Sequence, residues 1–384
     1  MKRTDLPKQG FVFWPVGAGD STTVLVDNGA VIQIDLNHTD AAESEDDPRW
    51  PVVDELVELL PIVDGKRYLA AFVATHADQD HCQGFRKLLE DHAVLIGELW
   101  FTPRLIADID NEDPEALSED AQALRDEALR RVKRNAHAPA ASRSGDRIRV
   151  IGYHDSLQDD FAALPRSLVS PAGTTVDEID GVYLARSLRI FVHSPFKEYM
   201  EDTERNRTSI GLHVTLLPGG VRSLLLGDLD YRPVKQVFEY TQNQEDKEWD
   251  VLLAPHHCSK GVMYERENGT DVLRQDVLDL IEVAKATDGW VVSSSGPIPS
   301  SNSPGDNPPH AKAKNRYEEI CDTFVCTGEH PDEENPKPVI FESTATGVVF
   351  LGVAPLVTTA AAAQVERARG GKKPGSTPVG FGEC

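Results

Sequence analysis

Residues 68–90 read Y-L-A-A-F-V-A-T-H-A-D-Q-D-H-C-Q-G-F-R-K-L-L-E. The opening run is apolar without interruption up to Ala74, the pattern of a strand covered on both faces in a parallel sheet. It ends abruptly at Thr75. Four metal-capable side chains follow within six residues: His76, Asp78, Asp80 and His81. Imidazole nitrogens and carboxylate oxygens suit zinc, manganese or iron, and mixed His/Asp shells can hold two ions that share a ligand. A helical pattern from Cys82 onward predicts a helix whose N-terminus would favour anions at the same place. A solvated loop whose aspartates cap that helix accounts for Asp80 alone. It does not account for two histidines bracketing two aspartates directly after a buried strand.

Toward the N-terminus, residues 11–28 and 29–37 read as strands joined at Asp27-Asn28-Gly29, a hairpin turn signal. Residues 48–60 carry apolar positions at helical spacing. Toward the C-terminus the composition changes. The stretch 104–140 is strongly helical, with acids early and bases late as the helix dipole favours, and Asp113 is positioned to cap it with Pro114 in the first turn. This charged insertion reads either as a lid or protein-docking surface, or as a solvated peripheral helix. A second β-rich block follows, with strands at 145–153, 188–195, 209–217 and 221–230, the last two joined through Pro218-Gly219-Gly220. Next come a helix near 233–241, the strand D-V-L-L-A-P-H-H, a helix near 271–286, the strand G-W-V-V-S-S-S-G and a helix from about 311. Two β-rich halves, each followed by helices, predict an α/β protein with two sheets sandwiched between helical layers.

The chain has 384 residues, 40% hydrophobic and 27% charged, a globular composition with no apolar run of membrane-spanning length. Five scattered cysteines without a C-x-x-C pair argue against a disulfide framework or a zinc ribbon. These features predict a cytoplasmic protein. The formal charge of −24 opposes long-range attraction of polyanions, so any nucleic-acid binding must rest on a local basic groove. The domain is expected to span 1–355, followed by a flexible tail over 356–384 that is Ala-rich and then Gly/Lys/Pro-rich.

The H-x-D-x-D-H motif followed by C-Q-G resembles the H-x-[HD]-x-D-H signature of metallo-β-lactamase fold hydrolases. Its Asp78 is similar to the variant in the nuclease domain of the competence channel protein ComEC and its soluble relatives. F-W-P-V-G-A-G-D at 13–20 resembles the family's opening motif, and Asp35 resembles the aspartate that ends its early hairpin. S-L-L-L-G-D-L-D at 223–230 resembles the strand whose terminal aspartate bridges two metals. D-V-L-L-A-P-H-H-C-S-K-G at 250–261 is similar to the ComEC-type D-x-L-x-x-P-H-H-G-S-K, and His310 after Asn307-Pro308-Pro309 resembles a late histidine returned to the site.

The resemblance implies a four-layer αββα sandwich holding two divalent ions, zinc or manganese with magnesium also possible. The implied ligands are His76, Asp78, Asp80, His81, Asp228, His257 and His310. Asp80, His256, His257 and Lys260 are the implied catalytic groups, with His256 or His257 as general acid and Lys260, with Ser259, holding a phosphate. The implied activity is a phosphodiesterase or nuclease acting on nucleic acid or nucleotides. Hydrolysis of an ester, amide or lactone, and a regulatory subunit with a degenerate site, are the alternatives. N-R-T-S-I at 206–210 stands where the commoner mid-chain histidine would be, and Cys258 stands in place of a glycine.

Overall fold

The computed structural model describes residues 3, 6–44, 46–111, 118–138, 142–202 and 204–352. The expected tail and the Asp113 cap lie outside the described residues. Strands β1 (Gly10–Phe13), β2 (Thr22–Leu25), β3 (Val31–Ile34), β4 (Lys66–Val73), β5 (Leu95–Phe101), β6 (Arg147–Ile151) and β7 (Val169–Ser170) form one sheet in chain order. Pairing is antiparallel up to β3 and parallel from β3 to β7. The second sheet repeats this plan. It runs β8 (Thr175–Val176), β9 (Leu188–Ser194), β10 (Gly211–Leu216), β11 (Val221–Leu225), β12 (Trp249–Leu253), β13 (Lys285–Ser293) and β14 (Thr323–Cys326), turning parallel at β11–β12. A final hairpin, β15 (Val339–Thr344) and β16 (Gly347–Phe350), returns to the first sheet beside β1.

Side chains alternate across each strand, so each sheet has two apolar faces to cover. Phe11 and Phe13 of β1, Ile32 and Ile34 of β3, and Val73 of β4 share one core with Leu212 and Val214 of β10 and Val251 and Leu253 of β12. The opposite face of the first sheet, with Val12, Phe72 and Leu99, packs against α1 (Val52–Leu59), α2 (Pro103–Asp110) and α3 (Glu119–His137). The outer face of the second sheet, with Leu224, Leu252 and Val291, packs against α4 (Tyr231–Tyr240), α5 (Gln275–Val283) and α6 (Ala311–Ile320). The result is the expected four-layer αββα sandwich.

The 104–140 stretch resolves into α2 and α3, and α3 belongs to the outer helical layer. Ser118 caps it by accepting from Ala121 N. Leu124, Ala128 and Val132 enter the core. Arg131, 1% exposed, donates to Ile96 O, Gly97 O and Arg147 O and pairs with Glu127 at 2.6 Å. These bonds tie the helix to the backbone of β5 and β6 through a cation with no solvent of its own. Other expectations shift at their edges. The helix after His81 is one turn, 79–82, followed by a π-turn at 87–91. The helix expected from 271 starts at 275, because 270–273 pairs with 264–267 in a hairpin. No described helix is long and apolar enough to cross a membrane.

Candidate metal centre

Parallel strands β3, β4, β11, β12 and β13 end at one rim of the sandwich, where open α/β sheets gather their polar groups. Asp35 leaves β3, Thr75 to His81 leave β4, Asp228 follows β11, and His256 and His257 follow β12. Asp20 joins them from the loop after β1. Its N–H donates to Asp80 O at 3.2 Å. That approach requires Gly19, whose φ is +124° and whose missing Cβ would lie 2.5 Å from the same Asp80 carbonyl.

Asp228 occupies the middle. Its Oδ1 lies 3.3 Å from His81 Nε2 and 3.6 Å from His257 Nε2, and its Oδ2 lies 3.7 Å from His76 Nε2 and 3.5 Å from His256 Nε2. One carboxylate thus faces two imidazoles on each side. Asp78 Oδ2 lies 3.7 Å from His76 Nε2 on one side; Asp80 Oδ2 lies 3.4 Å from His257 Nε2 on the other. Asp20, His81, Asp228 and His257 each offer a ligand atom within 4.8 Å of the others, and all four residues are buried.

Behind these groups stands a relay that sets the imidazole tautomers. Asp35 accepts from Thr75 N at 2.8 Å, Thr75 Oγ1 at 2.7 Å and His81 Nδ1 at 2.8 Å. Thr75 donates its only hydroxyl proton to Asp35. The 2.9 Å contact of its Oγ1 with His76 Nδ1 therefore has the imidazole as donor. Both histidines are held with Nδ1–H turned away from Asp228 and Nε2 turned toward it.

Backbone strain marks the second histidine pair. His256, His257 and Cys258 are successive non-glycine residues at φ of 51°, 51° and 66°. Left-handed backbone costs L-residues roughly 1–2 kcal/mol each. A run of three persists only where the surroundings impose it. Here His256 N bonds Gly227 O at 2.9 Å and His310 N bonds Cys258 O at 3.1 Å, which pins the turn so that both imidazoles project toward Asp228.

The charge balance is set by proximity. Burial alone would raise the Asp228 carboxyl, but His257, His81 and His76 hold it well below the usual carboxylate range. Burial disfavours protonated His81 and His257, yet Asp228 with Asp35, and Asp228 with Asp20, raise them well above an ordinary histidine. His76 is lowered by burial and by its neighbour His81. Without another cation, His81 and His257 carry the positive charge that the buried carboxylates demand.

Of the residues expected at the site, the fold brings together His76, Asp78, Asp80, His81, Asp228, His256 and His257. His310 stays apart. Its Nδ1 accepts from Lys260 N at 3.3 Å and its Nε2 pairs with Asp306 O at 3.1 Å, so both ring nitrogens face backbone. The ammonium of Lys260 pairs with Asp271 at 2.8 Å, and the Ser259 hydroxyl accepts from Gly261 N. Asp20 and Asp35 carry no assigned role in the sequence reading. The available signals were the Gly19 that precedes Asp20 and the strand-like run Val31–Ile34 that ends at Asp35.

No family model and no curated protein matches the chain. Among solved structures it is similar to an unliganded yeast PDE1 (9% identity, 83% of this chain and 97% of that one, TM-score 0.42). It is also similar to the metallo hydrolase Igni18 from Ignicoccus hospitalis (12% identity, 87% and 100%, TM-score 0.37). A third likeness is to a CmlA beta-hydroxylase mutant (10% identity, TM-score 0.38), 82% of this chain aligning with only 52% of that one.

Proposed function

We propose that the chain is a metal-dependent hydrolase that cleaves phosphodiesters with two divalent ions, manganese or zinc. The observation that carries this reading is the division of four imidazoles between the two oxygens of Asp228. A carboxylate flanked in this way is what a bridging ligand requires. The donor set also fits a cation by its unmet valences: His76 Nε2 and Asp228 Oδ1, both facing the centre, are buried without a hydrogen-bond partner. Buried polar atoms left open are costly and call for a ligand.

In this reading His76, Asp78 and His256 would hold one ion and Asp80, His81 and His257 the other, with Asp228 between them and Asp20 behind His257. His256 then fills the place left by the absent mid-chain histidine, and His310 acts through the loop that carries Lys260. Divalent ions so held would acidify water and polarise the scissile group. The protein's own part is orientation. Asp35 and Thr75 fix the imidazoles, and Arg205 reaches Asp78 at 3.3 Å and brings a guanidinium to the rim. A guanidinium there favours an anionic ester over a neutral one.

The test compares a phosphodiester chromogen with carboxylic ester and lactone chromogens after metal stripping and readdition. The reading expects turnover of the phosphodiester only, restored by manganese or zinc and lost in His76→Ala. Turnover of the carboxylic ester alone would reject it.

A further inference from the structure

Beside the centre, on the Lys260 side, is a cavity of about 460 Å³, within the range of ligand pockets. Its walls are the hairpin Tyr264–Glu267/Thr270–Leu273, the loop 300–304 and the start of α6. Lys260, Arg266 and Lys312 line it against a single carboxylate, Asp271. That balance runs against the chain, whose net charge is −24. Other cavities follow the chain. One beneath α2 and α3 has three cations against four carboxylates, one at Arg86 and Arg130 two against four, and one at Arg222 one against four.

The cations are also held in place. Asp271 accepts from Lys260 Nζ at 2.8 Å and Lys312 Nζ at 3.0 Å, so one carboxylate serves two ammoniums. Lys312 lies over the Tyr264 ring at 5.6 Å, which ties α6 to the hairpin. Arg266 stands in the hairpin with no hydrogen-bond or ion-pair partner for its guanidinium among the described residues. The N-terminus of α6 opens into the same space through Ala311 and Lys312 and adds a positive dipole end. The floor is the His310 ring, buried and fixed to Lys260 N and Asp306 O.

We infer that this cavity is a subsite for a second, non-reacting phosphate, so that the substrate is a polyanionic phosphodiester, a single-stranded oligonucleotide, rather than an isolated diester. The inference rests on the phosphodiesterase reading for the neighbouring centre. The geometry links the two: Lys260 follows His257 by three residues, so their Cα atoms are at most roughly 11 Å apart. That reach is short enough for neighbouring phosphates of one strand to occupy both sites. A local excess of cations is also what a chain of this acidity needs before it can hold a polyanion at all.

The experiment is binding of a fluorescent oligothymidylate, about 12 nucleotides long, measured in EDTA across a salt series. Neither turnover nor metal contributes there. Arg266→Gln and Lys312→Gln are expected to weaken binding about tenfold each and to flatten the log–log salt slope by about 0.7 per lost contact. Both side chains are exposed, and Arg125→Gln in the α2–α3 cavity is expected to bind as wild type. With metal present, both variants should turn over the small phosphodiester chromogen at the wild-type rate. Unchanged binding in both variants, or no binding by wild type in EDTA, overturns the subsite even if the chromogen is hydrolysed. Weakened binding in a protein that hydrolyses no phosphodiester keeps the subsite and rejects the activity.

Discussion

Asp35→Asn tests how the centre is oriented, because one oxygen there governs two imidazoles. Asp35 Oδ2 accepts from His81 Nδ1 and from Thr75 Oγ1, which in turn accepts from His76 Nδ1. An amide has two ways to sit. With its NH₂ at the Oδ1 position it opposes the donating N–H of Thr75, an unmet buried donor worth about 1–3 kcal/mol. With its NH₂ at the Oδ2 position the bonds survive only if both imidazoles exchange tautomers and Thr75 turns its proton to His76. The second arrangement wins, and it places a proton on each Nε2 that faces Asp228. Folding stability of the metal-free protein should fall, because the buried His81 imidazolium loses one of its two carboxylates. Metal affinity should fall as well, because orienting partners of metal-binding histidines are worth 10–100-fold each. For two histidines the expected loss is at least about 100-fold, or about 2.7 kcal/mol. Calorimetric titration with manganese or zinc reads this directly, and Thr75→Val, which cuts the relay to His76 alone, should lose about tenfold. Wild-type affinity in Asp35→Asn would refute the tautomer argument.

Three further outcomes follow from the packing. His193 and His213 are buried on the second sheet, and burial, aided at His193 by its neighbour His213, lowers them to about 3 and about 4. The unfolded chain binds their protons below about pH 6.5 while the folded one does not, so their stability contribution is intact above that pH and lost as pH falls toward 4. The pair should cost about 4 kcal/mol between pH 7.5 and pH 5, read by urea unfolding, and His193→Gln/His213→Gln should flatten that pH dependence; an equal drop in the variant contradicts it. Arg131→Met leaves three backbone carbonyls and Glu127 without their buried cation and should destabilise by about 3–5 kcal/mol, whereas a loss under about 1 kcal/mol would show that α3 is not tied to the sheet in this way. Cys258→Gly trades relief of left-handed strain, about 1–2 kcal/mol, against loss of a small buried side chain of similar worth, so denaturation should shift by less than about 1 kcal/mol.

Much of this arrangement is legible in the residues themselves. The run Leu69–Ala74 announces a buried strand because nothing polar interrupts it, and the abrupt change at Thr75 places the site at its end. The hairpin at Asp27-Asn28-Gly29 is legible for the same local reason: turn chemistry is written in adjacent residues. What escapes is nonlocal. Nothing in Val339–Phe350 says that it pairs with β1, a contact across the whole length of the domain. Arg131 reads as one more charge on a solvated helix until the carbonyls of β5 and β6 are seen beneath it. His310 carries the right side chain after a suitable loop, but the backbone of Lys260 and Asp306 claims its ring. Asp20 reaches the centre only through the close approach that Gly19 permits.

The measurement that bears most directly on the account is the metal content of purified protein, by mass spectrometry, for wild type and Asp228→Asn. Two divalent ions per chain are expected in wild type, with at least one lost in the variant because the shared oxygens no longer carry charge. A wild type that holds no metal after exposure to manganese and zinc, or a variant that retains both ions, would contradict it.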